Sequence, residues 1–156
     1  MALEYLPIMS QASAAKPRRV LAMPSKTSWC PRTQPASQSR IAILSSAALR
    51  LQNQEPFLPG EDTSYRLIPS DGKPEEIVID HHSRIGTVPR QDPEIVFPMK
   101  ALAHLVEQGI VGHLSPVHVS FKGGIRKHQE VETQLAPAVA RELKQAGVDL
   151  ALLLPY

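Results

Sequence analysis

Apolar positions along this chain follow two rhythms. Ile41-Ala42-Ile43-Leu44 is an unbroken apolar run closed by Ser45-Ser46, the pattern of a buried strand. Tyr65-Arg66-Leu67-Ile68 alternates as a half-buried strand does and stops at Pro69-Ser70-Asp71-Gly72, a turn signal. Ile77-Val78-Ile79 predicts a third strand, which delivers Asp80-His81-His82. Pro98 then opens a helix with Met99, Leu102, Leu105 and Val106 at helical spacing, and Gly109 fits its left-handed stop. Val117 to Phe121 alternates again and ends in Gly123-Gly124. A second helix is expected from about Glu130 to Ala146, broken or restarted at Pro137, with Val139 and Leu143 one turn apart. Gly147 stops it, and Val148 to Leu154 predicts the final strand.

Apolar strands alternating with amphipathic helices predict an α/β fold. The sheet is expected to be mostly parallel with covering helices, three-layered and Rossmann-like. The chain divides into an irregular arm, residues 1–39, and an α/β domain, residues 40–156. The arm carries Pro7, Pro17, Pro24, Pro31 and Pro35 among Ser, Ala and Gln, and proline both removes a backbone donor and restricts its predecessor. Leu21, Met23 and Trp29 are its apolar anchors. The final strand, nearly all Leu and Ala, suits burial on both faces. Without a covering helix one face is left bare, so oligomerisation is expected.

Composition narrows the partners. With 17 basic against 15 acidic residues the formal net charge is only +2, which argues against a dedicated nucleic-acid binder. A single cysteine, Cys30, excludes an internal disulfide framework and favours the cytoplasm. No apolar run approaches the roughly 18 residues of a membrane-spanning helix. Met1 to Ser10 lacks the basic-then-apolar order of a secretory signal.

Three constellations are candidates for chemistry. His81-His82 follows a strand, and either could transfer a proton. Neighbours on an extended chain point to opposite sides, so a shared metal would need Asp80 or Asp92 as well, and no spacing matches a zinc pattern. Ser120-Phe121-Lys122-Gly123-Gly124 could expose backbone N–H groups to an anion, with Lys122, Arg126 and Lys127 adding charge, or could be a plain strand-to-helix turn. Ser45-Ser46 lacks the G-x-S-x-G elbow of a nucleophile and reads as loop hydrogen bonding. Cys30 has no C-x-x-C partner and reads as a bystander.

The order of four segments is more specific than any one motif. They are Ser39 to Ala47 with Gln54-Glu55-Pro56-Phe57; Asp62 to Asp71; His81-His82, Asp92 and Val96-Phe97-Pro98 leading to Gly109-Ile110-Val111-Gly112 and Leu114-Ser115-Pro116; and Ser120-Phe121 with Gly123, then Gly147-Val148-Asp149. Together they resemble the selenoprotein B family (component B) of the glycine, sarcosine, betaine and D-proline reductases, over about Ser25 to Tyr156. Lys122 departs from the family, which commonly has Met there.

The resemblance implies a reductase that cleaves a C–N bond with a disulfide as electron acceptor. It places the redox residue, selenocysteine or cysteine, directly after the strand corresponding to Leu150 to Leu154. The chain stops one step short of it, at Tyr156. Selenocysteine is encoded by a codon otherwise read as stop, so the expectation is a chain truncated before that residue, with no cofactor of its own; a fragment of a cysteine-type relative and a natural end are the alternatives. The resemblance further implies a partner subunit carrying a pyruvoyl group and a small amine or amino-acid substrate. Within this chain the candidate site residues are His81, His82 and Asp92 for catalysis, and Ser45, Ser46, Ser120, Gly123 and Gly124 for anion or substrate binding. The alternatives are a non-catalytic α/β binding or scaffold module and a metal-dependent hydrolase using the His pair.

Overall fold

A computed structural model describes residues 30–81 and 87–156. Arg32–Tyr156 forms one compact unit. Its strands are β1 (Arg40–Ser45), β2 (Leu49–Leu51), β3 (Tyr65–Pro69), β4 (Ile77–Ile79), β5 (His113–Leu114), β6 (Val117–Phe121) and β7 (Leu150–Leu154). Its helices are α1 (Thr87–Gln91), α2 (Met99–Glu107) and a continuous helix over residues 128–145, α3. The expected α/β class holds, with a mostly parallel sheet between helices.

β1 is the centre of the five-stranded sheet and pairs in parallel with β5, β6 and β7. Its hydrogen bonds sort these partners by edge. Ser39 and Ile41 carbonyls accept from His113 and Ser115 N–H, whereas Arg40 O accepts from Asp149 N–H and Ser46 N–H donates to Leu154 O. Alternate residues of a strand bond to opposite sides, so β5 and β6 run in line along one edge and β7 occupies the other. β3 lies antiparallel on β6. β2 and β4 form a separate antiparallel pair, so the expected third strand belongs to this ribbon rather than the main sheet.

Both faces of the sheet carry apolar clusters. Ile43, Ile68, Phe97 and Leu102 pack together with Ile79 and Leu49, joined by Met99 and Leu105 of α2 and by Leu152 and Leu154 of β7. On the opposite face Val119, Leu44, Leu67 and Phe121 meet Leu135, Val139 and Leu143 of α3. The helix ends follow sequence chemistry. Gly109 (φ 69°) and Gly147 (φ 69°) adopt the left-handed conformation expected of a stop. Ile110 N–H reaches Leu105 O, and Val148 N–H reaches Leu143 O. Pro137 does not break α3. A π-helical turn, Val131–Leu135, precedes it, and Ala136 N–H bonds Val131 O five residues back. The wider turn accommodates a proline that cannot donate.

β7 is covered on one face only. Leu152 and Leu154 join the α2-side cluster, while Ala151 is exposed and Leu153 is 66% exposed. This is the bare face expected of a strand without its covering helix: among the described residues α3 covers β6 and β1 but leaves the outer face of β7 open. Leu153 sits in register with Leu44, whose side chain belongs to the α3-side cluster, so the apolar surface is continuous. We expect the isolated chain to associate through this strip, and Leu153→Lys to shift light scattering toward the monomer mass. An already monomeric parent chain would contradict this. Among the described residues no helix is long and apolar enough to cross a membrane.

Candidate functional site

In an open, largely parallel sheet, ligands gather beyond the carboxyl ends of the strands. Here β1, β6 and β7 all end on one rim, and Ser46 ties them together. Its N–H donates to Leu154 O at 3.1 Å, and its carbonyl accepts from Gly123 N–H at 2.8 Å. Its Oγ accepts from Tyr156 N–H at 2.8 Å and lies 3.4 Å from Tyr156 O. A side chain at Gly123 would be tight here. A Cβ at that position would stand 3.1 Å from both Ser46 O and Tyr156 O. Gly124 follows with φ 77°. His81, just past β4, sets its ring edge-on against Tyr156, with centroids 5.1 Å apart. Tyr156 Oη is buried, with no hydrogen-bond partner among the described residues.

Beyond Ser46 the backbone turns through Ala48, which is fully buried at φ 53°. A left-handed non-glycine residue is uncommon and persists where its surroundings fix it. Ala48 N–H donates to Phe121 O and its carbonyl accepts from Asp80 N–H, both at 3.0 Å, so β6 and β4 hold the turn between them.

The other candidates are used internally. Ser45 is buried, and its Oγ donates to Val96 O at 2.9 Å. Ser120 is buried, and its Oγ accepts from Leu49 N–H at 2.7 Å. Asp92 is exposed and caps the Pro93–Ile95 turn, its Oδ1 accepting from Glu94 N–H at 3.1 Å. Asp80, considered as a further metal ligand, is instead paired with Arg50 Nε at 2.7 Å and accepts from Phe57 N–H at 2.9 Å. His82 lies outside the described residues. Among those described, no group of three His, Cys, Asp or Glu could hold a metal ion. Cys30 is exposed.

Lys122 corrects the reading of the glycine turn. It does not rim an anion site. It is only 6% exposed, and its Nζ donates to Leu58 O at 2.5 Å. It thereby pins the loop between β2 and β3 whose own knot is Asp62. Asp62 accepts from Leu58 N–H at 2.7 Å and from the N–H and Oγ of Ser64 at 2.8 and 2.5 Å. Burial pushes the Asp62 carboxyl up, but these hydrogen bonds and the nearby Arg66 charge outweigh it and hold the group below its ordinary value. Arg66 also stacks over Phe57, 4.4 Å from the ring centroid.

The sequence reading missed His118, a fully buried histidine beside β1. Alternation along Val117 to Phe121 gave no signal of it, because a polar residue in a half-buried strand is expected to face solvent. An apolar groove of about 390 Å³, lined by Leu44, Ser46, Phe121, Leu153, Leu154 and Pro155, opens beside the rim. A larger, polar concavity of about 500 Å³ lies at the start of α3, among Arg126, Lys127, His128 and Glu130. The rim groove is the better candidate site, because three strand ends and Ser46 meet there.

Fold and site thus define an α/β protein whose strand ends converge on a serine–glycine rim beside an apolar groove. Over 125 residues, 80% of the chain, it is 26% identical to D-proline reductase subunit gamma of Acetoanaerobium sticklandii. The match takes in 52% of that protein, so the chain spans about half the length of the curated relative it matches. It bears out the resemblance read from the four segments: the chain is similar to the proline/glycine reductase component B-like proteins. No family model matches the chain, and no solved structure does.

Proposed function

We propose that this chain is the platform of a reductase subunit related to D-proline reductase subunit gamma. The reaction class is reductive C–N cleavage. Two electrons and two protons from a dithiol break the bond, leaving C–H and N–H products and a disulfide. The observation that carries this reading is the coincidence of the 125-residue match with the rim formed by Ser46, Gly123 and Tyr156. In the family, the redox selenocysteine or cysteine follows the strand corresponding to β7. The rim fits such a residue: Ser46 holds the backbone leaving β7 at Tyr156 N–H, and the bare Gly123 makes room for Tyr156 O. A selenol or thiol there supplies a nucleophilic anion when present. A small amine or amino acid is the proposed substrate, activated by a pyruvoyl group on a partner subunit, and the cytoplasm is the proposed compartment.

The test is the coding sequence past Tyr156 followed by an assay of the full product. An in-frame UGA or cysteine codon leading into a further helix supports the proposal. So does substrate-dependent dithiol oxidation with D-proline, glycine, sarcosine or betaine once the pyruvoyl partner is added. An ordinary stop with no related continuation overturns it. For the 156-residue chain alone we expect no substrate-dependent thiol loss, because its one cysteine, Cys30, precedes β1 in sequence and does not occupy the position after β7 that the resemblance gives the redox residue.

A second reading, a non-catalytic α/β scaffold, is favoured by one observation. The polar groups of Ser45, Ser120 and Lys122 are already spent on internal hydrogen bonds. It predicts that the full product binds its partner but leaves dithiols untouched with every substrate.

A further inference from the structure

The line formed by β5 and β6 is broken beside the middle of β1. Ile41 pairs with Leu114, and pairing resumes at Leu44 with Val119. Three steps along β1 therefore face five along its neighbour, and the surplus loops out around Ser115-Pro116. Pro116 has no N–H to offer a ladder. Ser115 Oγ accepts from Val117 N–H at 3.3 Å, and Pro116 O accepts from Ser70 N–H at 3.0 Å, which stabilises the bulge. This break leaves Ile43 N–H, in a fully buried residue, without a backbone acceptor.

The ring of His118 fills that place. Its Nδ1 accepts from Ile43 N–H at 2.9 Å. Nδ1 therefore carries no proton, and the neutral ring holds its hydrogen on Nε2. Nε2 lies 3.0 Å from Ser70 Oγ, and Ser70 in turn donates to the Ser115 carbonyl. One polar chain thus runs from β1 through the ring to the end of β3 and back to the bulge. Phe97 closes the ring edge-on, with centroids 5.6 Å apart. Against the imidazole stand Ile43 of β1, Ser70 after β3, Ser115 of the bulge and Phe97 before α2, none of them titratable. The nearest titratable residues in sequence on those elements, Asp71 and His113, are exposed.

We propose that His118 is an acid-sensitive latch: its neutral ring completes the β1 ladder across the bulge, and its protonation opens that ladder at Ile43 and loosens β1 just ahead of Ser45 and Ser46. A proton on Nδ1 would face the Ile43 N–H, donor against donor, in a site where no carboxylate among the described residues balances the charge. Burial accordingly depresses the His118 pKa from 6.5 to about 4. A base held neutral in the fold makes the unfolded chain the better proton acceptor. Its contribution to stability is full above about pH 6.5, falls as the pH drops from there toward 4, and is gone below. The gap corresponds to roughly a 300-fold change in the folding equilibrium. The Asp62 contribution is lost only at lower pH, because that carboxyl is held below 3.8.

The experiment is an NMR pH titration of the full chain, with amide exchange, alongside His118→Gln. Gln can offer an acceptor and a donor but does not titrate. We expect the His118 ring to be the Nε2–H tautomer and to titrate far below the exposed histidines. Protection factors at Ile43, Ser45 and Ser46, corrected for the slower intrinsic exchange in acid, should fall between pH 6.5 and 4 before those of α3, and His118→Gln should flatten the stability slope in that window. Titration of the His118 ring near 6.5 in the folded protein, with the Ile43 protection factor unchanged, overturns the proposal. So does a variant that keeps the parent slope. If His118→Gln does not fold, the parent titration decides alone.

Discussion

Phe97→Ala should lower the stability of this chain by about 3–5 kcal/mol, the range for truncating a buried aromatic. The ring is 1% exposed and sits where the α2-side cluster meets the His118 network. Its backbone is fixed on both sides, with N–H to Pro93 O and carbonyl to Met99 N–H, both 2.8 Å. The surroundings therefore cannot easily close over the vacancy, and the cavity cost adds to the lost transfer energy. Equilibrium urea unfolding measures the effect as a lowered midpoint at unchanged slope. Ile95→Ala, two residues away but 56% exposed, should stay within about 0.5 kcal/mol. A Phe97→Ala loss under about 1 kcal/mol would mean that the cluster collapses freely, against the packing described.

Elements whose cause is local were legible in the sequence. The run Ile41 to Leu44 and the span Val117 to Phe121 became β1 and β6, and Gly109 and Gly147 stopped their helices as left-handed residues. Elements that depend on distant partners were not. β2 is only Leu49-Arg50-Leu51, entered through a left-handed Ala48, and it exists because β4 pairs with it. β3 runs antiparallel on β6, an orientation that no residue of Tyr65 to Pro69 encodes. The unbroken helix through Pro137 depended on a π turn, which hydrophobic spacing does not reveal.

The candidate site divides along the same line. Ser46 and Gly123 could be named because polar and glycine residues at the end of a parallel strand mark a rim, and the structure brings both to Tyr156. Alternation within β6 misled about direction. In Val117-His118-Val119-Ser120-Phe121, a period of two assigns His118 and Ser120 to a solvent face. With apolar clusters on both sides of the sheet, both residues are fully buried and hydrogen-bonded internally. Lys122 repeats the point, since a charge expected at the surface is tied to a loop carbonyl from a distant segment. Type and position were readable; burial was not, because it depends on what else packs there.

Gly112→Ala is the sharper test of how the opposite end of the sheet is closed. Gly112 lies against the 3₁₀ turn Ala36–Gln38, where its N–H donates to Ala36 O at 2.9 Å. A Cβ there would meet Gln38 C at 2.8 Å, Ser39 O at 2.9 Å and Ser37 O at 3.0 Å. All three are backbone atoms, so no rotamer change relieves the contact, and either the turn or β5 must shift. That segment is also tied to the end of α3 through Arg40, whose N–H meets Asp149 Oδ2 at 2.8 Å and whose Nη1 meets Ala146 O at 2.9 Å. A shift would therefore strain two further contacts. We expect a loss of about 3 kcal/mol, the upper part of the overpacking range, read as a fall in melting temperature of roughly 10 °C. The rim lies at the other end of β1, so exchange at Ser46 and Gly123 should change no more than global stability requires. A variant as stable as its parent would show that residues 36–39 yield to the added methyl, and the closure inferred for this end of the sheet would be wrong.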